Sequence, residues 1–169
     1  MGGTENYTVK VSSESVGFSS AHFVYSDKFT EALHGHNYRV ECEVEGALGD
    51  DGFVINFLSL KSLLKEVALT FDHKVLIPAS SGFLRLNRFR SPSGLDALEV
   101  TCVGGEYYVF PSKDVAILEV STTSSEELAK FIAEALVKKL RGRVNLRRLE
   151  VRLWETDSYS ACYKARIED

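Results

Sequence analysis

Apolar residues recur every three or four positions in two stretches of the chain, and this period predicts two amphipathic helices. The first stretch covers residues 58–71. The second begins with a Ser-x-x-Glu capping box at residues 124–127 and continues to Leu140. Gly142 is expected to end this helix, because glycine readily adopts the left-handed conformation that follows a helix C-terminus.

Apolar and polar residues alternate in most of the remaining chain, and this period predicts half-buried antiparallel strands. The alternating segments are residues 7–11 with an extension towards 22, residues 36–45, residues 149–154 and, after a break, residues 159–167. Amphipathic helices beside such strands indicate an α+β fold in which both helices cover one face of a sheet. A length of 169 residues suits a single domain, which we assign to residues 1–169.

Residues 79–113 interrupt this pattern. Clusters of Ser, Gly and Pro at residues 80–82 and 91–94 indicate irregular chain. Two apolar-rich runs flank Gly104 and Gly105 and predict a hairpin with a primed turn, because glycine supplies the positive φ that such a turn requires. We therefore expect an inserted hairpin within residues 79–113.

Composition limits the classes of function. Hydrophobic residues make up 44% and charged residues 26% of the chain, which is ordinary for a globular protein. A net charge of −4 with both signs interspersed argues against nucleic acid or an anionic membrane as the main partner. No signal-peptide pattern or membrane-length apolar run is visible, so we expect a cytoplasmic location. The three cysteines form no Cys-x-x-Cys pair, and we expect free, buried thiols.

The spacing of the histidines is the strongest chemical signal in the sequence. His34 and His36 are two positions apart, so on an extended backbone both imidazoles point to the same side. His22 ends the preceding strand, and the 11 residues 23–33 can return the chain to place it opposite the pair. Three imidazole ligands without a fourth protein ligand are typical of catalytic Zn²⁺ sites. The spacing alone leaves open the alternative of a chance His-x-His pair on the surface.

Six short motifs, in order along the chain, resemble those of the 6-pyruvoyl-tetrahydropterin synthase and 6-carboxytetrahydropterin synthase superfamily. The first two carry the histidines, as Phe-Ser-Ser-Ala-His-Phe at 18–23 and Leu-His-Gly-His-Asn-Tyr at 33–38. The others are Val-Ile-Asn-Phe-Leu-Ser-Leu-Lys at 54–61, Phe-Asp-His-Lys-Val-Leu at 71–76, a threonine-containing segment with the helix start at 121–129, and Leu-Trp-Glu-Thr at 153–156. Together they span nearly the whole chain except the insertion.

The resemblance implies a fold, an assembly and a substrate. The fold would be the tunnelling fold, a four-stranded antiparallel sheet with two helices on one face. Trimers would close a twelve-stranded barrel, and two trimers would stack into a hexamer with sites at the subunit interfaces. The family's substrate is 7,8-dihydroneopterin triphosphate, so the chain would be a zinc-dependent lyase in which Zn²⁺ is held by His22, His34 and His36.

The resemblance also implies roles for individual polar residues. Asp72 and His73 match a pair in which the carboxylate orients an imidazole for proton transfer. Glu155 matches a glutamate that accepts hydrogen bonds from the amino group and a ring N–H of the pterin. Thr122 and Thr123 match a threonine pair that binds the pterin ring.

Two further assignments leave alternatives open. Glu126 matches a substrate-binding glutamate at the helix start, but a plain capping role explains it nearly as well. The insertion carries three arginines that either meet the triphosphate or belong to a solvated loop: Arg85, Arg88 and Arg90.

The chain departs from the family pattern just before the His-Gly-His motif. Many members place a catalytic cysteine there, whereas this chain has Thr30, whose hydroxyl cannot replace a thiolate as base. Glu31 is the nearby group able to accept a proton, and a family branch with glutamate here cleaves the side chain to 6-hydroxymethyl-7,8-dihydropterin. The products 6-carboxytetrahydropterin and 6-pyruvoyl-tetrahydropterin stay open, as does a non-catalytic zinc-containing pterin-binding protein. Asn56 also replaces the family's usual aspartate.

Overall fold

A computed structural model describes residues 5–12 and 14–167 of the chain. The two α-helices are α1, Phe57–Ala68, and α2, Ser125–Leu140, which confirms both helices expected from the apolar period. The described residues also form ten strands: β1 Tyr7–Val11, β2 Gly17–Tyr25, β3 Thr30–Gly46, β4 Lys74–Pro78, β5 Leu84–Arg90, β6 Asp96–Cys102, β7 Tyr107–Pro111, β8 Val115–Leu118, β9 Leu146–Trp154 and β10 Ser160–Arg166. A short 3-10 turn, Ser112–Asp114, precedes β8.

The main sheet has seven strands, so the expectation of four antiparallel strands is wrong. Its order is β10-β9-β3-β2-β4-β8, and β1 pairs with β3. The additional strands β4 and β8 are parallel to their neighbours and contain unbroken apolar runs, Val75-Leu76-Ile77 and Val115-Ala116-Ile117-Leu118. Such runs are common in parallel strands but lack the alternation that reveals a half-buried antiparallel strand.

The long strand β3 organises the sheet. It begins at Thr30 rather than at residue 36, so His34 and His36 lie within the strand and not in the irregular chain before it. On one side β3 pairs with β2 through its first half and with β1 through its second half, while β9 pairs along the other side. The single extended segment expected from residue 7 towards 22 is therefore two separate strands.

The helices cover one face of this sheet, as the pattern predicted. The apolar face of β3 places Val40, Cys42 and Val44 in the core without any exposed surface. The buried residues of α1 and α2 belong to the same core: Leu60, Leu64, Val67, Ala68, Leu128, Ala129, Ile132, Ala133, Leu136 and Leu140. No helix among the described residues is long and apolar enough to cross a membrane. The cytoplasmic location stays a prediction.

The insertion is a three-stranded antiparallel sheet rather than a lone hairpin. The predicted hairpin is present as β6 and β7, and β5 pairs with the other side of β6. Its turn is not primed, because Gly105 has a φ of 97° but Gly104 is not among the glycines with positive φ. The insertion buries Leu98 and Val100 against Phe23 and forms a second core behind β2.

Asn56 caps helix α1, a role that the sequence comparison with the family pattern did not reveal. Its side-chain oxygen accepts hydrogen bonds from the backbone N–H of Leu58 at 2.9 Å and of Ser59 at 3.2 Å. These donors belong to the first helical turn, where no carbonyl of the helix can pair with them. An aspartate at this position could accept the same two hydrogen bonds.

We expect Asn56→Ala to lower the free energy of unfolding by about 1 kcal/mol, because two backbone donors lose their acceptor. Urea denaturation of the metal-free protein measures this difference. Asn56→Asp is the matched control and should retain the wild-type midpoint within error. A wild-type midpoint for Asn56→Ala would contradict the capping role.

Candidate functional site

Three histidines meet on the helix-facing side of the β2–β3 ladder. The register pairs His22 with His34 and Ser20 with His36, and directly paired residues in a sheet share a face. The Nε2 atoms of His22 and His34 lie 3.2 Å apart. One ligand nitrogen from each of the three rings lies within 4.8 Å of the others. The convergence expected from the spacing is therefore present in the structure.

Hydrogen bonds to backbone carbonyls fix the orientation of two of the rings. The Nδ1–H of His22 donates to the carbonyl of Thr123 at 3.0 Å, and the Nδ1–H of His34 donates to the carbonyl of Ala32 at 2.7 Å. A carbonyl only accepts, so each Nδ1 carries the proton and each Nε2 keeps its lone pair. Burial lowers the pKa of His22, and the neighbouring His34 lowers it further, so the neutral ring is favoured.

The donor set fits a zinc ion. Two nitrogens bound tetrahedrally at about 2.0–2.1 Å would lie roughly 3.3 Å apart, close to the observed separation. The Nε2 of His36 is buried and has no hydrogen-bond partner among the described residues. Lone pairs that face one another without a shared proton are unfavourable unless a cation lies between them. The three residues can therefore hold Zn²⁺ and leave a coordination position open.

Two carboxylates flank the histidine cluster. Glu155 Oε1 lies 3.3 Å from His36 Nε2 and 3.5 Å from His22 Nε2, while Glu31 Oε1 lies 3.6 Å from His34 Nε2. A cavity of about 490 Å³ opens beside them. Its lining includes both carboxylates, His22 and Glu126, together with residues that the sequence analysis did not single out: Phe29, Ser158, Tyr159 and Ser160.

The residues missed at the cavity carried little sequence signal. Phe29 lies in the β2–β3 turn, and residues 158–160 lie where the chain turns from β9 into β10. Only their position beside motif residues such as Glu31 and Glu155 hinted at a role. Tyr38 belongs to the His-Gly-His-Asn-Tyr motif, and burial together with the nearby Glu155 raises the pKa of its hydroxyl.

The two threonines of the predicted pair differ in burial. Neither threonine lines the cavity beside Glu31, and Thr123 is fully buried behind His22. Thr122 is partly exposed, and its hydroxyl oxygen is buried without a hydrogen-bond partner in the described chain. The two neighbours therefore have different surroundings.

Asp72 and His73 form the expected pair, with His73 Nδ1 3.0 Å from Asp72 Oδ2. The other carboxylate oxygen of Asp72 accepts from the backbone N–H of Ser19 at 2.9 Å, and the N–H of His73 donates to the Ser19 carbonyl at 2.7 Å. The Ser19 hydrogen bond, followed by the one from His73, lowers the pKa of Asp72. His73 has a φ of 57°, a conformation that non-glycine residues seldom adopt outside turns and functional sites.

Among the described residues, this pair is not hydrogen-bonded to the histidine cluster. His73 lines a cavity of about 460 Å³ whose wall also includes Gly35, His36 and Asn37, so His36 borders it as well. Within residues 5–12 and 14–167, no hydrogen bond or ion pair joins Asp72 or His73 to the cluster. His73 and Glu31 therefore line different cavities of the chain.

None of the three cysteines supplies a thiolate near the cluster. Burial raises the pKa of Cys42 to about 12 and that of Cys162 to about 11, and it also raises the pKa of Cys102. All three thiols are free, as expected. Cys162 is exposed on β10, so the expectation that every thiol is buried is wrong for this residue.

The three arginines of the insertion do not form one cluster. Successive residues of a strand point to opposite faces, so Arg85 lies on one face of β5 while Arg88 and Arg90 lie on the other. Arg90 donates to the carbonyl of Gly94 within its own turn at 2.9 Å. None of the three lines the cavity beside Glu31.

Comparisons with known proteins give a consistent result. Residues 10–166 match the model of the 6-pyruvoyl tetrahydropterin synthase family. A Methanocaldococcus jannaschii protein provisionally named 6-carboxy-5,6,7,8-tetrahydropterin synthase is 30% identical over 154 residues, which cover 89% of this chain and 91% of the relative. The dihydroneopterin monophosphate aldolase of Pyrococcus furiosus is 29% identical over 142 residues, covering 84% and 86%.

Solved structures of two synthases resemble this chain along nearly their whole length. Plasmodium falciparum 6-pyruvoyl tetrahydropterin synthase superposes with a TM-score of 0.86 at 30% identity, covering 96% of this chain and 99% of the other. A Plasmodium vivax 6-pyruvoyltetrahydropterin synthase in which a catalytic glutamate is replaced by alanine gives a TM-score of 0.87 at 27% identity with the same coverage.

We expect His22→Ala, His34→Ala and His36→Ala each to lose most of the bound zinc during dialysis, because each removes one of three ligands. Elemental analysis of the purified proteins measures zinc per chain. His73→Ala is the matched control: it removes the one histidine outside the cluster and should retain wild-type zinc. A fully metallated His34→Ala protein would overturn the ligand assignment.

Proposed function

The chain belongs to the 6-pyruvoyl tetrahydropterin synthase family, and we propose that it is a zinc-dependent lyase acting on 7,8-dihydroneopterin triphosphate. The observation that carries this proposal is the three-histidine cluster with a carboxylate, Glu31, beside it and an adjoining cavity large enough for a pterin. The fit of His22, His34 and His36 to a tetrahedral ion supports zinc as the metal. Bound zinc would polarise the side-chain oxygens of the substrate and make their O–H groups more acidic.

Glu31 is the proposed base. It lies 3.6 Å from a metal ligand, and its half-exposed carboxylate reaches the cavity that holds the substrate side chain. The pKa values of all three cysteines are raised, so no thiol competes for this role. The catalytic glutamate of the Plasmodium vivax enzyme supports a carboxylate as a functional base in this family.

Glu31 favours cleavage of the side chain as the reaction. Removal of the 2′-hydroxyl proton by the carboxylate lets the C2′–O bond become a carbonyl while the C1′–C2′ bond breaks. The electron pair of that bond passes into the dihydropterin ring system, and C1′ then takes up a proton. The products are 6-hydroxymethyl-7,8-dihydropterin and a phosphorylated glycolaldehyde. Similarity to an aldolase named for dihydroneopterin monophosphate supports this product, while the Methanocaldococcus jannaschii relative is named for 6-carboxytetrahydropterin; Glu31 is the feature that favours cleavage.

The pterin ring would bind at the end of the cavity formed by Glu155 and the start of α2. The carboxylate of Glu155 matches two neighbouring donors, the amino group and a ring N–H of the pterin. Glu126 lines this cavity, and Thr122, which precedes the lining residues Ser124 and Ser125, would contribute a hydroxyl that has no partner among the described residues. Because the carboxylate of Glu155 lies 3.3 Å from His36 Nε2, a ring bound to it would place the side chain beside the histidines and Glu31.

Asp72 and His73 enter the proposal through the assembly. Among the described residues the pair makes no hydrogen bond or ion pair with the histidine cluster, and His73 lines a different cavity from Glu31, which favours a role shared with a second subunit. We propose the family's hexamer of two trimers, in which sites lie at subunit interfaces. There the Asp72–His73 pair of one subunit would serve the metal site of another.

The zinc-loaded protein should convert 7,8-dihydroneopterin triphosphate to 6-hydroxymethyl-7,8-dihydropterin, and Glu31→Gln should slow this conversion by about 10²–10⁴-fold because the proton acceptor is lost. Product masses and rates measure both effects, with the monophosphate as a parallel substrate. Asp27→Asn, in the exposed turn before β3, is the matched control and should keep the wild-type rate.

The outcomes separate the competing functions. Unchanged turnover by Glu31→Gln would remove Glu31 from the mechanism. A 6-carboxy or 6-pyruvoyl product would retain the lyase and change the reaction. Tight pterin binding without turnover would instead identify a non-catalytic zinc-containing pterin-binding protein.

A further inference from the structure

We propose that Thr123 positions the metal ligand His22, so that it acts on the metal site and not on the pterin ring. The adjacent threonines would then divide two tasks, with Thr122 facing the ligand and Thr123 holding the metal centre. This inference rests on the proposed function for the identities of zinc and pterin. It concerns a contact that the family resemblance did not assign.

The first observation is an irregularity in β2 directly after His22. The pairing of β2 with β3 shifts register between His22 and Val24, so Phe23 falls outside the regular ladder. Such a bulge redirects neighbouring side chains and leaves backbone groups without their usual partners. The carbonyl of Phe23 is satisfied by the hydroxyl of Thr123, which donates to it at 2.9 Å.

The second observation is that Thr123 also holds the imidazole on the other side of this bulge. Its carbonyl accepts the Nδ1–H of His22 at 3.0 Å, and its hydroxyl oxygen lies 3.3 Å from the same nitrogen. The hydroxyl proton is used on Phe23, so the oxygen's lone pairs are free to accept from His22. Thr123 thus fixes both the backbone at Phe23 and the tautomer of the His22 imidazole.

The third observation is burial. Thr123 has no exposed surface, and His22 has 1%. A pterin in the cavity cannot reach the Thr123 side chain without displacing packed groups, and assembly of subunits can only reduce exposure further. Thr122 differs because the residue is partly exposed and its buried hydroxyl oxygen lacks any partner among residues 5–12 and 14–167. An unpaired buried hydroxyl is costly unless a ligand or water pairs with it.

Thr123→Val tests the proposal, because valine keeps the shape of threonine and removes the hydroxyl. We expect zinc affinity, measured by competition with a chromogenic chelator in the absence of pterin, to fall by about 10–100-fold, the usual effect of removing a partner of a metal ligand. Thr123→Ser should restore most of the affinity. Thr122→Val is the matched control and should leave zinc affinity at the wild-type value while weakening neopterin binding.

Wild-type zinc affinity for Thr123→Val would overturn the proposal, and so would a Thr123→Ser protein as weak as Thr123→Val, since packing of the methyl group would then be the cause. NMR of the wild-type protein gives a second measurement that needs no variant to fold. The Nδ1 of His22 should carry an exchange-protected proton; a proton on Nε2 in the metal-free protein would overturn the positioning role.

The proposed function can fail separately from this inference. Loss of zinc from Thr123→Val, together with no turnover of dihydroneopterin phosphates by the wild type, would reject the lyase and retain the positioning role. Turnover by the wild type, together with unchanged zinc affinity in Thr123→Val, would retain the lyase and reject the positioning role.

Discussion

The register between β2 and β3 is the constraint on which the site depends. It pairs His22 with His34, and a slip of one residue in β2 would turn His22 to the face opposite His34 and His36. Close backbone contact holds this register: a Cβ at Gly17 would lie 2.6 Å from the carbonyl oxygen of Tyr38, so no other residue fits there without movement. Stacking of Phe18 on Tyr38, with ring centroids 4.9 Å apart, adds a side-chain contact at the same end of the ladder.

Two apolar cores meet at the histidine cluster. The helix-facing core ends at Tyr38 and Phe18, while the second core begins at Phe23 and extends under the insertion. His22 lies between these regions, at the point where the β2 ladder shifts. Packing therefore fixes His22 on both sides. The insertion contributes to the rigidity of the site without lining its cavity.

Much of the site could be predicted because it depends on short spacings along the chain, such as two residues that are two positions apart on a strand. His34 and His36 share a face in any extended strand, and the helices follow from an apolar period over many residues. The parallel strands β4 and β8 could not be found in the same way, because their uninterrupted apolar runs carry no period. The different surroundings of Thr122 and Thr123 depend on a bulge in a strand 100 residues away, which local sequence does not encode. The location of Asp72 and His73 depends on the pairing of β4 with β2, because these two residues lie between α1 and β4. The local sequence does not encode this pairing.

The absence of a thiolate from the site has a chemical consequence. A cysteine base can be oxidised through sulfenic to sulfonic acid, or capped by glutathione, and each step abolishes its basicity. A glutamate has no comparable redox chemistry. Of the chain's own thiols, Cys42 and Cys102 are buried, and the exposed Cys162 donates a hydrogen bond to Glu150 at 2.9 Å and does not line the cavity beside Glu31. With Glu31 in its proposed role, catalysis would therefore be independent of cellular redox state, and thiol-alkylating reagents would leave the site intact.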